Sequence, residues 1–289
     1  MEQTWKSKLL GCGLAALAAI LFSTTVTLAA EEAGTDEDVH ALAKMAQNPI
    51  ADMISLPFQN NLYFNAVSKD ATIYTLNIQP VIPFKLNEEW NLITRTIIPI
   101  INQPSLFPGM DSAAGLGDIN LSFFFSPAKP GEWIWGVGPT FTIPTATDDL
   151  LGSDRWSAGP AVVLLKIRGP WVYGALANNQ WSFAGPGHDG SKVNAFLVQP
   201  FANYNLSKGW YICSSPIITA DWEADSGQKW TVPLGGGFGR LVKIGKMPVN
   251  FQVQAFSNVV HPDYGPDWSL RFQIQLRFPK GDSIKLIKY

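Results

Sequence analysis

The amino-acid sequence predicts an all-β fold, a transmembrane antiparallel β-barrel of about 12 strands with a short N-terminal helical lead-in. Three observations predict it: two-residue alternation of apolar and polar side chains, alternation of short and long connections, and tryptophans at both ends of single strands.

Alternation is clearest near the C-terminus. There Trp268, Leu270, Phe272, Ile274, Leu276 and Phe278 interleave with Ser269, Arg271, Gln273, Gln275 and Arg277. Tyr74, Leu76, Ile78, Pro80 and Ile82 stand likewise against Thr75, Asn77 and Gln79, and Ile119, Leu121, Phe123 and Phe125 against Asp118, Asn120 and Ser122. Side chains on a strand point alternately to its two faces, so each such segment has one apolar and one polar face. Strands of this kind begin near Ile54, Ala71, Glu89, Gly117, Glu132, Asp154, Pro170, Lys192, Gly209, Gln228, Met247 and Asp267, giving the even number that bacterial barrels use. Pro80, Pro139, Pro200 and Pro216 fall inside strands and are read as bulges.

The connections follow barrel topology. Tight turns at Lys85-Leu86-Asn87, Ala128-Lys129-Pro130-Gly131, Arg168-Gly169, Ser207-Lys208 and Lys243-Ile244-Gly245-Lys246 alternate with longer loops at 103–116, 146–153, 184–191, 223–228 and 261–266. The short turns are basic, and the long loops carry Asp111, Asp148, Asp149, Asp189, Glu223, Asp225 and Asp263. Short turns belong on the periplasmic side and long loops outside.

Aromatic residues mark the two membrane interfaces. Trp90, Trp133, Trp171 and Trp210 open strands at the periplasmic rim, where Phe84, Phe125 and Phe278 close others. Trp181 and Trp222 lie at matching parity on the far ends of their strands, and Trp230 and Trp268 open strands there. Two aromatic girdles are a barrel property. A soluble β-sandwich also alternates, but gives no reason for indoles at both ends of a strand or for a polar face so rich in uncharged amides.

The first thirty residues have the layout of a secretory signal peptide: Lys6 and Lys8, an apolar run from Leu9 to Phe22, then Thr27, Ala29 and Ala30. That run is shorter than the ~20 residues of a membrane-spanning helix. Leu9-Leu10-Gly11-Cys12 imitates a lipoprotein box, but the apolar core follows the cysteine instead of preceding it. Cleavage leaves Cys213 as the single cysteine, without a disulfide partner. Residues 31–53 form a lead-in, acidic at Glu31, Glu32, Asp36, Glu37 and Asp38, then helical in pattern at Val39, Leu42, Met45 and Ala46, with a cap near Thr35. Its narrow apolar stripe favours a periplasmic extension ending before Pro49, and a plug inside the barrel is the alternative. The barrel is assigned to 54–280 and a tail to 281–289.

The net charge of −2 becomes −3 on loss of Lys6, Lys8 and Glu2, which argues against a nucleic-acid partner. Charged residues are 15% of the chain, below the ~25% usual for soluble domains.

The segments Asn48-Pro49-Ile50-Ala51-Asp52-Met53-Ile54-Ser55-Leu56-Pro57-Phe58-Gln59-Asn60-Asn61 and Asn77-Ile78-Gln79-Pro80-Val81-Ile82-Pro83-Phe84 resemble a bacterial outer-membrane family. So do Trp90-Asn91-Leu92-Ile93, Gly115-Leu116-Gly117-Asp118-Ile119, Pro144-Thr145-Ala146-Thr147-Asp148 and Gly174-Ala175-Leu176-Ala177-Asn178. That family is described as meta-pathway phenol-degradation proteins, and its members are often misnamed "neuromedin U". The resemblance implies an outer-membrane barrel with a transport role and no catalytic residue to carry over. The tail 281–289 departs from the family's pattern, although Tyr289 keeps an aromatic terminus for the barrel-assembly machinery.

Catalytic chemistry finds little support. His40, His188 and His261 lack partners at metal-ligand spacing, so neither metal nor cofactor is expected. Outer-membrane phospholipases also use twelve strands, yet there is no Gly-x-Ser-x-Gly and no serine shares a strand with a histidine. Asp148, Asp149 and Asp154 fit a solvated loop among lipopolysaccharide phosphates better than a cation site. The run Gly235-Gly236-Gly237 with Gly239 lies within a strand, where it signals backbone curvature and not a phosphate cradle.

The polar face carries the functional expectation: Asn77, Gln79, Asn91, Arg95, Asp118, Asn120, Asn178, Gln180, Asn250, Gln252, Gln254, Arg271, Gln273, Gln275 and Arg277 should point into the lumen. Buried amides must be satisfied by water or by one another, so a polar interior is either a solute path or a hydrogen-bonded filling. A narrow channel for small solutes is expected, with the three arginines favouring anionic or neutral polar cargo. A non-conducting structural or surface-interaction barrel is the alternative. The expected partners are outer-membrane lipid and lipopolysaccharide, the barrel-assembly machinery and a small-molecule solute.

Overall fold

The computed structural model describes residues 43–66, 71–106, 109–187, 190–245 and 247–278. The signal segment 1–30, residues 31–42 of the lead-in, the tail 281–289, His40 and His188 lie outside the described residues. Residues 43–46 are helical. The strands that follow are β1 (Ile54–Phe64), β2 (Thr72–Ile78), β3 (Val81–Lys85), β4 (Trp90–Gln103), β5 (Ala113–Leu116), β6 (Ile119–Pro127), β7 (Trp133–Ile143), β8 (Trp156–Arg168), β9 (Trp171–Ala184), β10 (Asn194–Asn205), β11 (Trp210–Ser214), β12 (Ile218–Asp221), β13 (Trp230–Ile244), β14 (Met247–Val260) and β15 (Trp268–Phe278).

These segments make a closed, 12-strand antiparallel barrel, because three crossings are each split in two: β2 with β3, β5 with β6, and β11 with β12. The barrel shuts where β1 pairs with β15, from Ile54 against Phe278 to Phe64 against Trp268. Closure leaves no open edge, the condition for a sheet to cross a bilayer with its backbone groups satisfied.

Two sequence expectations need correction. The fourth crossing starts at Ala113, not near Gly117, since β5 already pairs with β4 inside the expected loop. The prolines do not insert bulges. Across Pro80 the partners of β1 keep step, Phe58 with Ile78 and Ser55 with Val81; across Pro216 the partners of β10 do the same, Ala202 with Ser214 and Val198 with Ile218. Proline lacks an amide hydrogen, so the ladder lapses without gaining a residue. Pro139 faces Pro160 and Pro200 faces Ala175 in unshifted register. Register shifts lie instead at Trp156/Ser157, at Val232/Pro233 and where β4 passes from β5 to β6, with Ile100 facing Leu116 but Ile97 facing Asn120.

Burial is inverted relative to a soluble protein. Gln59, Asn61, Asn250, Gln254, Arg271 and Arg277 are buried, whereas Val162, Leu164, Ile212, Leu234 and Phe238 are exposed on the outer face. Such an outer face is matched to hydrocarbon. The indoles share it: Trp90 packs edge-on against Trp135 at one rim, and Trp222 against Trp230 at the other, with Phe196 beside both. Trp133 and Trp171 stand near the first rim, and Trp181 and Trp268 near the second, where Trp268 stacks on Phe64 at 3.9 Å. Trp210 meets Arg240 at 5.1 Å.

Candidate functional site in the barrel lumen

Register fixes which side chains share the inner face. From β15 the buried row Arg271, Gln275 and Arg277 pairs with Asn61, Pro57 and Ser55 of β1, with Gln273 opposite Gln59. Gln59 in turn faces Asn77. On the other side of β15, Asn250, Gln252 and Gln254 face Gln275, Gln273 and Arg271. The strands nearest the barrel seam therefore build one polar wall.

Its side chains hold one another. Arg95 donates to Gln79 Oε1 at 2.8 Å, Gln79 donates to Gln59 at 3.2 Å, and Gln59 donates to Asn61 at 3.1 Å. Arg271 donates Nε to Asn61 Oδ1 at 3.1 Å and Nη1 to the Ser215 carbonyl at 2.9 Å, while Gln254 accepts from the Ser215 amide and donates to its hydroxyl. Tyr211 donates to Asn250 Oδ1 at 3.0 Å. A Cβ on Gly239 would come within 2.2 Å of the Tyr211 ring, so the glycine makes room for that tyrosine. Gly235 and Gly237 run close to the carbonyls of Ala255 and Val253, consistent with tight curvature.

The opposite wall is apolar over its half nearer the short turns, and alternation did not reveal it. Val81, Ile93, Phe124, Ala161, Val163, Leu165, Val172 and Leu176 form one buried cluster, with Ile134, Leu197 and Phe201 packed against it. These side chains share the inner face with Arg95, Asn178 and Asn203, as the pairing of Val81 with Arg95, Ala161 with Asn178 and Val172 with Asn203 requires. β8 carries apolar residues on both faces, so sequence parity could not say which of Val162, Val163, Leu164 and Leu165 turn inward.

The described part of the lead-in packs on these inner faces. Ile50 belongs to the apolar cluster, and Ala43 and Ala46 pack on Leu241. Gln47 exchanges hydrogen bonds with Asn205 at 2.8 and 3.1 Å. Arg277 donates to the carbonyls of Met45, at 3.1 Å, and of Ala46 at the end of the short helix; Met45 O also accepts from the Asn48 amide. Residues 43–53, expected as a periplasmic extension, thus lie against the barrel's inner faces, with Gln47 and the carbonyls of Met45 and Ala46 hydrogen-bonded there.

The remaining expected residues spread along the lumen. Asn91 faces inward at the rim, opposite Lys85 and Ser126. Asn120 bonds Thr140 and Thr142, and Gln180 accepts from Thr142 at 2.8 Å. Asp118 accepts from the amide and hydroxyl of Ser153 at 2.7 and 2.9 Å and from the amide of Ala146, so it pins the long loop between β7 and β8. In that loop Asp148 caps the turn over Asp149–Leu151 by accepting from the Leu150 amide, and no cluster of potential metal ligands occurs among the described residues. His261 contacts its neighbour's carbonyl, Pro262 O, and Asp267 at 3.7 Å.

Between the two walls and above residues 46–53 lies a cavity of about 150 Å³. Its lining includes Arg95, Arg277, Gln59, Gln79 and Gln273, with Val81 beside Arg95, and Leu176 and Phe201 on β9 and β10; among the described residues it holds no carboxylate. A second, wider hollow of about 770 Å³ opens on the lipid side, against Val137, Pro139, Pro160, Val162 and Phe196.

No family model matches this sequence, and neither does any curated protein. Among solved structures, the chain is similar to the COG4313 outer membrane channel from Pseudomonas putida F1, with TM-score 0.58 and 16% identity over 78% of this chain and 94% of that one. It is also similar to the CymD monoaromatic hydrocarbon channel (TM-score 0.45, 8% identity, 81% and 91% covered) and to the outer membrane phospholipase A from Escherichia coli (0.41, 15%, 83% and 98%). At such identities the first likeness establishes a shared barrel architecture and nothing about solute or reaction.

Proposed function

We propose that this chain is an outer-membrane channel through which small solutes pass passively, with a preference for anions. The observation that carries the proposal is the lumen itself: Arg95, Arg271 and Arg277 are turned inward among neutral amides, and the ion pairs among the described residues, Lys85–Glu88, Lys166–Glu132 and His261–Asp267, involve none of them. Inward cations raise the local concentration of anions and slow cations. The resemblance of the segments around Asn48 and Asn77 to the phenol-degradation family of outer-membrane proteins supports membership of a channel family. Signal-peptide cleavage after about residue 30, residence in outer-membrane lipid and lipopolysaccharide, and insertion by the barrel-assembly machinery belong to the same proposal.

Single-channel recording of the refolded protein in a planar bilayer tests it, with heat-modifiable gel mobility as the check that the barrel has formed. Discrete steps with anion preference are expected, and the preference should vanish when Arg95, Arg271 and Arg277 are all replaced by alanine. Unchanged selectivity in that triple variant would remove the role given to the arginines. One observation favours a second reading, a barrel that does not conduct: the amides bond one another and residues 43–53 pack inside the barrel. A folded but silent barrel would select it.

A further inference from the structure

We infer that the cavity between the two walls is a binding site for a small organic monocarboxylate, its charged end at Arg95 and Arg277 and its apolar body against Val81, Leu176 and Phe201. The inference deepens the proposed channel, since it names a solute class, but it concerns binding and stands or falls separately from conduction.

Register supplies the first support. Arg277 pairs with Ser55, Ser55 with Val81, Val81 with Arg95, and Arg95 with Ser122, so the two arginines belong to one cross-strand row on the inner face. Both line the same cavity. Arg277 is 3% exposed and its Nε has no hydrogen-bond partner among the described residues, while its outer nitrogens grip the carbonyls of Met45 and Ala46. A guanidinium removed from water without a counter-charge is costly. Among the described residues the lining offers amides, the hydroxyls of Ser55 and Ser215 and the Tyr211 phenol but no acid, so an anion is the complement that these residues call for.

The second support is the neighbour of Arg95. Val81 is its cross-strand neighbour on the same face and belongs to the apolar cluster that continues through Leu176. An inorganic anion would satisfy the arginines and leave that wall uncovered, and a hydrocarbon would do the reverse. Only a molecule with both parts uses both walls. A cavity of about 150 Å³ is the size that accepts one benzene ring when its lining is apolar, which bounds the body at about six carbons.

The test is equilibrium binding to the full refolded chain, by calorimetry and by ligand-observed NMR, with benzoate, benzyl alcohol and acetate as probes. Benzoate is expected to bind at least tenfold more tightly than benzyl alcohol, which has the ring without the charge, and than acetate, which has the charge without the ring. Arg95→Gln should weaken benzoate tenfold or more and leave benzyl alcohol unchanged, whereas Leu176→Asn should weaken benzoate and leave acetate unchanged. Equal binding of benzoate and benzyl alcohol, or no benzoate binding at all, would overturn the inference using the unaltered protein, so it does not depend on either variant folding. A barrel that conducts but does not bind benzoate defeats the site and keeps the channel; a silent barrel that binds it does the opposite.

Discussion

The two walls of the lumen solve the same packing problem in different ways. The wall around the seam, from β14 through β15 and β1 to β2, fills its space with amides and arginines whose hydrogen bonds fix their positions. The wall from β6 to β9 fills the half nearer the short turns with Phe124, Val163, Leu165, Val172 and Leu176, which need no partner of fixed direction, and keeps hydrogen-bonded Asn120, Thr140, Thr142 and Gln180 toward the long loops. Directional bonds tolerate change of side chain only where a replacement can still pair, whereas an apolar cluster tolerates change of shape but not of polarity. The same substitution should therefore have opposite consequences on the two sides.

The largest contrast is between new carboxylates. Val163 has no exposed surface, so Val163→Asp places an unpaired charge in the apolar cluster and should lower stability by about 3–5 kcal/mol, or prevent folding. Gln273→Glu, on the wall that already carries arginines, should change the unfolding midpoint little. Urea titrations in detergent, read by gel mobility, compare them; equal losses would mean that the two walls do not differ as described. A smaller effect tests the glycine beneath Tyr211. Gly239→Ala should cost about 1–3 kcal/mol by crowding the ring, and Tyr211→Leu should remove part of that cost in the double variant, the contact with the Phe251 carbonyl at 2.7 Å remaining. Additive losses would show that the glycine serves the close approach of the Phe251 backbone and not the tyrosine.

The smallest effect lies outside the lumen. Lys166 reaches Glu132 at 2.6 Å and holds that carboxyl below its ordinary range. A carboxylate with a depressed folded pKa lends stability above its unfolded pKa and loses it as pH falls through the folded value. Lys166→Ala should therefore reduce stability slightly at neutral pH and not at strongly acid pH. Exposed pairs contribute little, and a pH-independent loss would point to Lys166 acting by its contact with Trp133 instead.

The polar wall was legible in the sequence because Gln273, Gln275 and their neighbours alternate cleanly with Phe272, Ile274 and Leu276. The apolar wall was not, since Ala161 to Leu165 is apolar on both faces and parity carries no sign there. Strand number survived the prolines because Pro80 and Pro216 interrupt the ladder without altering its count. The seat of the lead-in was hidden for a further reason: Arg277 binds its carbonyls, and main-chain acceptors leave no mark in a side-chain pattern.

The seam also orders events in time. Asn61 and Arg271, bonded in the finished wall, are brought together only when the first strand meets the last, a contact between distant parts of the chain that forms late and slowly. β6 to β9, by contrast, are sequential hairpins that can gather their apolar side chains early. The nascent protein would thus acquire its greasy half first, and the chamber for the carboxylate would come into being only at closure.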